Sequence, residues 1–200
     1  MRALSICLIL FIAALVASAD KKDIAKFSPG AASSYANHQT NDKVTVAAEA
    51  FDSEELAHTA FGKLDPNKYG VLPVLVIIQN DTDQALKLER VDAEYTRPDN
   101  RQVEATPADE IQTLGGPRKP PSMGNGSPLP KLIKHKNPLS AWEIEGRAFA
   151  ARLIPAHESA NGFFYFQTEH RPGAKFYLSG IKIPATGKDV LFFEVGLDKK

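Results

Sequence analysis

A mainly β fold, a sandwich of about eight or nine strands with two or three short helices, is what this sequence predicts. Three observations carry it. Short runs of β-branched and aromatic residues recur from Lys43 onward, separated by clusters of Asn, Asp, Gly and Pro. The run Val71–Ile78 is apolar apart from Pro73, so both faces of that strand must be covered. The only cysteine, Cys7, lies within the first 19 residues, so a core rather than disulfides must hold the fold. Strand after strand with short turns and no repeat period points to an immunoglobulin-like arrangement.

The chain of 200 residues divides unevenly. Residues 1–19 read as a signal peptide: a positive start, an apolar run from Leu4 to Val16, and the small residues Ala17-Ser18-Ala19 before cleavage at Asp20. The run is shorter than the ~20 apolar residues that span a bilayer. Export to the periplasm or beyond the cell is therefore expected, with no transmembrane segment left after cleavage. Residues 20–42 have few large apolar side chains and read as a flexible leader. Residues 43–200 read as one domain.

Within it, Val44–Phe51 suits a strand. Asp52 and Glu55 mark a helix start, Gly62 its end, and Leu56, Ala57, Ala60 and Phe61 share one helical face. That helix is expected to cover one side of Val74–Gln79, and an opposing sheet the other. Pro73 lacks a donor, so it belongs at the strand's start, an edge or a bulge. Asn80 to Asp83 turn the chain, Ala85–Leu88 returns, and Val91–Tyr95 pairs with Gln102–Thr106. Thr106-Pro107-Ala108-Asp109 opens one or two helical turns. Asn137 to Gly146 predicts a short helix carrying Trp142. Arg147–Pro155 predicts a strand with Phe149, Ala151 and Leu153 inward. Gly162–Thr168 and a hairpin around Pro184–Lys188 complete the set.

Residues 112–136 stand apart, with five prolines, four glycines, five cations and no acid. They read as a long loop. Its cations Arg118, Lys119, Lys131, Lys134 and Lys136 form a candidate interaction site for an unknown protein or an anionic envelope component. The loop lacks aromatics for stacking bases, and 24 basic residues balance 24 acidic ones, so nucleic acid is not the expected partner.

Three stretches together resemble a group of uncharacterised exported bacterial proteins whose predicted core is a β-sandwich: Ala60–Gly62, Gly70–Asp81 and Ile154–Phe166. The resemblance spans Lys43 to Leu197. It implies a strand ending at Asn80 before a polar turn, and a Pro155-x-x-Glu158-x-x-x-Gly162 turn before an aromatic strand. The sequence departs from it at Ala156 or His157, where a glycine is expected. The resemblance implies no catalytic residue.

Motifs of chemistry are sparse. None of His38, His58, His135, His157 and His170 forms a close metal-binding pair, so neither a metal nor another cofactor is expected. The five read as solvated turn histidines. Ser179-Gly180-Ile181-Lys182 matches Ser-x-x-Lys but lies in a predicted hairpin, not at a helix start. Glu143 and Glu145 read as a solvated helix edge. The aromatics Phe163 to Phe166, Phe176, Tyr177, Phe192 and Phe193 read mainly as core, in part as a sugar-stacking face. No catalytic residue stands out. The expected function is a non-catalytic interaction or accessory module of the bacterial cell envelope. The alternatives are a hydrolase of cell-wall or polysaccharide material and a carrier of a small apolar ligand in a cavity under the Phe51–Phe61 helix.

Overall fold

A computed structural model describes residues 27–114, 137–184, 187–190 and 192–198. The chain is mainly β, in three antiparallel four-stranded sheets. The strands are β1 (His38–Asn41), β2 (Val44–Ala50), β3 (Leu72–Asn80), β4 (Leu86–Lys87), β5 (Asp92–Thr96), β6 (Gln102–Glu104), β7 (Leu153–Ile154), β8 (Ser159–Phe166), β9 (Lys175–Ser179), β10 (Lys182–Ile183), β11 (Lys188–Asp189) and β12 (Phe193–Gly196). The helices are α1 (Glu54–Phe61), α2 (Ala108–Leu114) and α3 (Trp142–Gly146), with short 3-10 turns at Ala32–Ser34, Pro66–Tyr69 and Pro138–Ser140.

The first sheet runs β1-β2-β3-β8. Its centre is β3, whose residues Leu72 to Ile78 are all buried. Val74, Val76 and Ile78 enter one core with Phe166 and with residues of the other two sheets, among them Leu86, Tyr95, Phe176, Leu178, Ile181, Phe193 and Val195. Leu75 and Ile77 enter a second core with Phe51, Phe61, Phe163 and Tyr165. Every helix contributes to this second core: Ala57, Ala60 and Phe61 from α1, Ile111 from α2 and Ile144 from α3. The two-sided strand of the sequence is thus covered by sheet on one side and by helices on the other.

The other two sheets run β11-β10-β4-β7 and β12-β9-β5-β6. They share connections: β4 leads to β5, β9 to β10 and β11 to β12, each across a few residues. Gly180 marks the bend after β9, with φ +83° and the Arg90 carbonyl oxygen 2.2 Å from where a Cβ would sit. Only glycine fits there without strain or clash.

Pro73 lies inside a central strand, an uncommon place. Its register explains the tolerance. The β2–β3 ladder begins one residue later, at Ala50↔Val74. Phe51 donates its N–H to the Pro73 carbonyl at 2.9 Å, and Pro73 has no N–H to return. The Phe51 carbonyl instead accepts from Asn67 Nδ2 at 2.8 Å, so a side chain from the 3-10 turn supplies the missing donor.

Asn80, wholly buried, joins two turns. Its Nδ2 donates to the carbonyls of Gln84 and Pro155 at 2.8 Å, and its Oδ1 accepts from the Thr82 N–H and hydroxyl. His157, in the second of these turns, has φ +61°. The glycine expected at this turn is thus replaced by a residue held in the left-handed region.

Three expectations need correction. Ordered structure begins before Lys43. The Phe27 ring lies 5.5 Å from Phe163 and 5.9 Å from Phe51, Ala32 is fully buried, and β1 pairs with β2 from His38↔Ala47. A few well-spaced anchors suffice, which average composition hides. Asn37, Gln39 and Asn41 also hold the edge of β12: their side chains bond the Asp198 carbonyl, the Glu194 N–H and the Phe192 carbonyl. The segment after α3 is not a long strand. Residues 147–149 pair in parallel with the outer edge of β8, through Phe163 N–H to Arg147 O and Phe149 N–H to Phe163 O. In β7 Ile154 is buried and Leu153 exposed, the reverse of the expected face. Finally, α1 is capped by Ser53 rather than Asp52: its hydroxyl accepts the Leu56 N–H.

Residues 112–114 belong to α2 rather than to the long loop. The proposed signal peptide and residues 115–136 lie outside the described residues. Among the described residues no helix is long and apolar enough to cross a membrane.

Tyr165 closes the helix-side core by donating its hydroxyl to the Ile144 carbonyl at 2.7 Å. Burial pushes this phenol well above its ordinary pKa, with Arg147 pulling weakly the other way. The protonated phenol is thus favoured by folding. Its stabilising contribution is complete below the unfolded pKa of about 10 and is lost as pH rises above it. Urea melts at increasing pH are expected to hold a constant midpoint up to about pH 10 and then fall. Tyr165→Phe should flatten that fall, while costing about 1 kcal/mol for the carbonyl left without its donor. An alkaline decline as steep in Tyr165→Phe as in the parent would show that Tyr165 is not its source.

Candidate functional site

The aromatic residues separate by strand alternation. In β8, Phe163 and Tyr165 enter the helix-side core while Phe164 and Phe166 face the other sheets. Phe176 and Phe193 are buried. Tyr177 and Phe192 are different. They sit on the outer side of the β12-β9-β5-β6 sheet, with ring centroids 5.4 Å apart and planes at 28°. Phe192 is 51% exposed. The rings lean on each other rather than on the core.

Register sets their neighbours. Tyr177 is opposite Glu194 of β12 on one side and Glu94 of β5 on the other, and Glu94 is opposite Glu104 of β6. Ala93, Tyr95 and Val103 pack inward. Alternation therefore puts Glu94 and Glu104 outward with Tyr177, in one row across four strands. Asp92 lies two residues before Glu94, on the same face. Among the described residues of these four strands Lys175 is the outward cation, and its ammonium contacts Glu194 Oε1 at 2.5 Å.

A cleft of about 460 Å³ opens where β5 and β6 diverge from β8. Phe149 and Phe164, stacked at 5.2 Å and 16°, line it with Ala93, Ala105 and Thr106. Asp92, Glu94 and Glu104 line it as well, so the cleft adjoins the outer row. Its volume falls in the range of ~300–1,000 Å³ that small-ligand sites occupy. Gly162 permits the close wall: a Cβ there would sit 2.5 Å from the Phe149 Cα.

The space under α1 differs from the expected carrier cavity. Phe51, Phe61 and Phe163 fill it, with centroids 4.8–4.9 Å apart around Phe163. The described histidines stand apart. His38 Nδ1 meets the Tyr35 carbonyl, His58 faces Glu54, and His157 faces Asp83. His170 is not the solvated turn residue expected: its side chain is 11% exposed, lies edge-on to Tyr95 and faces Asp198 at 3.8 Å. The Tyr95 hydroxyl accepts the Arg171 N–H, so this group ties a turn to the sheet. Among the described residues no cluster of three His, Asp or Glu is placed to hold a metal. Ser179 ends β9, and Lys182 lies past the Gly180 bend with its ammonium 3.2 Å from Asp189. Glu145 lies on an exposed edge of α3, as expected, within 3.4 Å of the Gln112 amide.

The cations Arg118, Lys119, Lys131, Lys134 and Lys136 and His135 all lie outside the described residues. Sequence reading did not single out Glu94 or Glu104. The available signal was their position between inward Ala93, Tyr95 and Val103. No family model matches the chain, and no curated protein matches it significantly.

Proposed function

We propose that this chain is a non-catalytic, exported interaction module of the bacterial cell envelope, built on an immunoglobulin-like sandwich. Two sheet orders support the fold reading. The run β2-β3-β8 matches strands A, B and E of that topology, and β5-β9-β12 matches C, F and G. Export rests on the leader's charge, apolar run and small residues, and on a fold described without cysteine. The resemblance to exported bacterial sandwich proteins points the same way.

One observation carries the interaction reading: the Tyr177–Phe192 pair, half of Phe192 open to solvent, on an outer sheet face. Exposed aromatics that rest on each other supply contact area at little entropic cost, as binding surfaces do. The carboxylates beside the cleft favour the hydrolase as second reading. Their placement suits it less well. Glu94 and Glu104 stand side by side on one sheet face, whereas a glycosidase pair flanks the scissile bond. The cationic positions from Arg118 to Lys136 remain a second contact region for an anionic partner.

Photo-crosslinking in intact bacteria tests the module. A benzophenone amino acid in place of Phe192 should give a discrete adduct in the envelope fraction, and one in place of Glu55 on α1 should not. The recovered chain should begin at Asp20. Absence of an adduct at Phe192 would overturn the module. So would polysaccharide cleavage that Glu94→Gln and Glu104→Gln each abolish.

A further inference from the structure

We propose that the outer face of the β12-β9-β5-β6 sheet docks an extended, cationic segment of a partner polypeptide, held by Lys or Arg side chains on the Tyr177–Phe192 pair and on Glu94 and Glu104. The inference rests on the module reading and names the chemistry of its partner.

Three features of the face select a cation. First, Glu94 and Glu104 are directly opposed, and the pairs on either side of them, Ala93/Ala105 and Tyr95/Val103, are the hydrogen-bonded ones. This places the two glutamates in a non-hydrogen-bonded pair, where side chains approach most closely. Like charges so placed repel, and among the described residues no Lys or Arg lines the cleft beside them. A ligand cation between them removes that repulsion, whereas a neutral sugar does not. Second, the aromatic pair stands one strand away in the same row, and Tyr and Phe rings attract a cation within ~6 Å of the ring centre. Third, among the described strand residues of this face Lys175 is the cation, and it is engaged by Glu194, so within these strands Asp92, Glu94 and Glu104 leave an excess of negative charge.

The spacing fits a polypeptide. Strands lie ~4.8 Å apart, so Tyr177 and Glu104 are separated by ~10 Å across the sheet. Two cationic residues three positions apart in an extended polyproline-II segment, which rises ~3.1 Å per residue and returns its side chains to one face every third position, span about the same distance.

The test is an NMR titration of the full chain with the peptide acetyl-Lys-Gly-Gly-Lys-Gly-Gly-Lys-amide, with Glu replacing Lys in the control. Saturable shifts are expected at Tyr177, Phe192 and Glu94 with the basic peptide alone. Glu94→Gln/Glu104→Gln and Phe192→Ala should each weaken binding about fivefold or more, and raising salt from ~20 to ~200 mM should weaken it several-fold. The double Gln variant should melt no lower than the parent, since it removes a repulsion. No saturable shift, equal binding of the acidic peptide, or undiminished binding by the Gln variant would overturn the proposal. So would binding that emerges only after Arg118, Lys119, Lys131, Lys134 and Lys136 are changed to Gln, which would name the chain's own cations as the occupant. Failed peptide binding with a retained Phe192 adduct would discard the cationic partner and leave the module. Failure of both would discard the module.

Discussion

Leu75→Asp and Ile78→Asp are each expected to unfold the domain. The two positions point to opposite faces of β3, Leu75 into the core under the helices and Ile78 into the core between sheets. Each side chain is at most 1% exposed. Burying a leucine or isoleucine contributes about 1.5–3 kcal/mol, and an unpaired carboxylate in its place adds several more against folding. The sum rivals the 5–15 kcal/mol that holds a typical domain together. Circular dichroism on heating checks both. A parent-like melt from either variant would show that the face concerned is not sealed.

Gly180→Ala is expected to cost about 3 kcal/mol or more, from left-handed backbone strain of about 1–2 kcal/mol and overpacking of about 1–3. The φ of +83° and the Arg90 oxygen 2.2 Å from the added Cβ act together. Gly70 provides the control. Its φ is +74°, and a Cβ there meets nothing within 4 Å. Gly70→Ala should therefore show the backbone cost alone, about 1–2 kcal/mol. Urea denaturation separates the two. Equal losses would mean that the bend after β9 is not tightly packed.

The legible parts of the fold were those where one pattern admits one environment. A continuous apolar run demands two covers, so the burial of β3 on both faces followed from Val71 to Ile78. Four consecutive aromatics must alternate, so Phe163 and Tyr165 part from Phe164 and Phe166. Gly62 closed α1 because a positive φ suits it. The parts that failed to show were those decided by partners remote in sequence. Phe27 matters only because Phe51 and Phe163 meet it. Leu153 and Ile154 offered two possible faces, and pairing with β4 chose Ile154. The candidate site was hidden in the same way. Tyr177 and Phe192 look like core aromatics until the strand assignments place them outside. Glu94 and Glu104 are ten residues apart, and only the β5–β6 hairpin sets them face to face.

The register of β3 with β8 bears on how the chain reaches this structure. Leu72 meets Phe166 and Gln79 meets Ser159, so the central ladder joins residues 80 to 94 positions apart. Contacts so distant along the chain form late, because the entropy of closing a long loop must be met first. Until then the stretch from Val71 to Ile78, low in charge and rich in β-branched residues, is an adhesive segment with both faces bare. Pro73 near one end and Asn80-Asp81-Thr82-Asp83 at the other are what such a segment requires as gatekeepers, quite apart from their places in the finished sheet. Refolding yield, rather than final stability, is where their loss would first be felt.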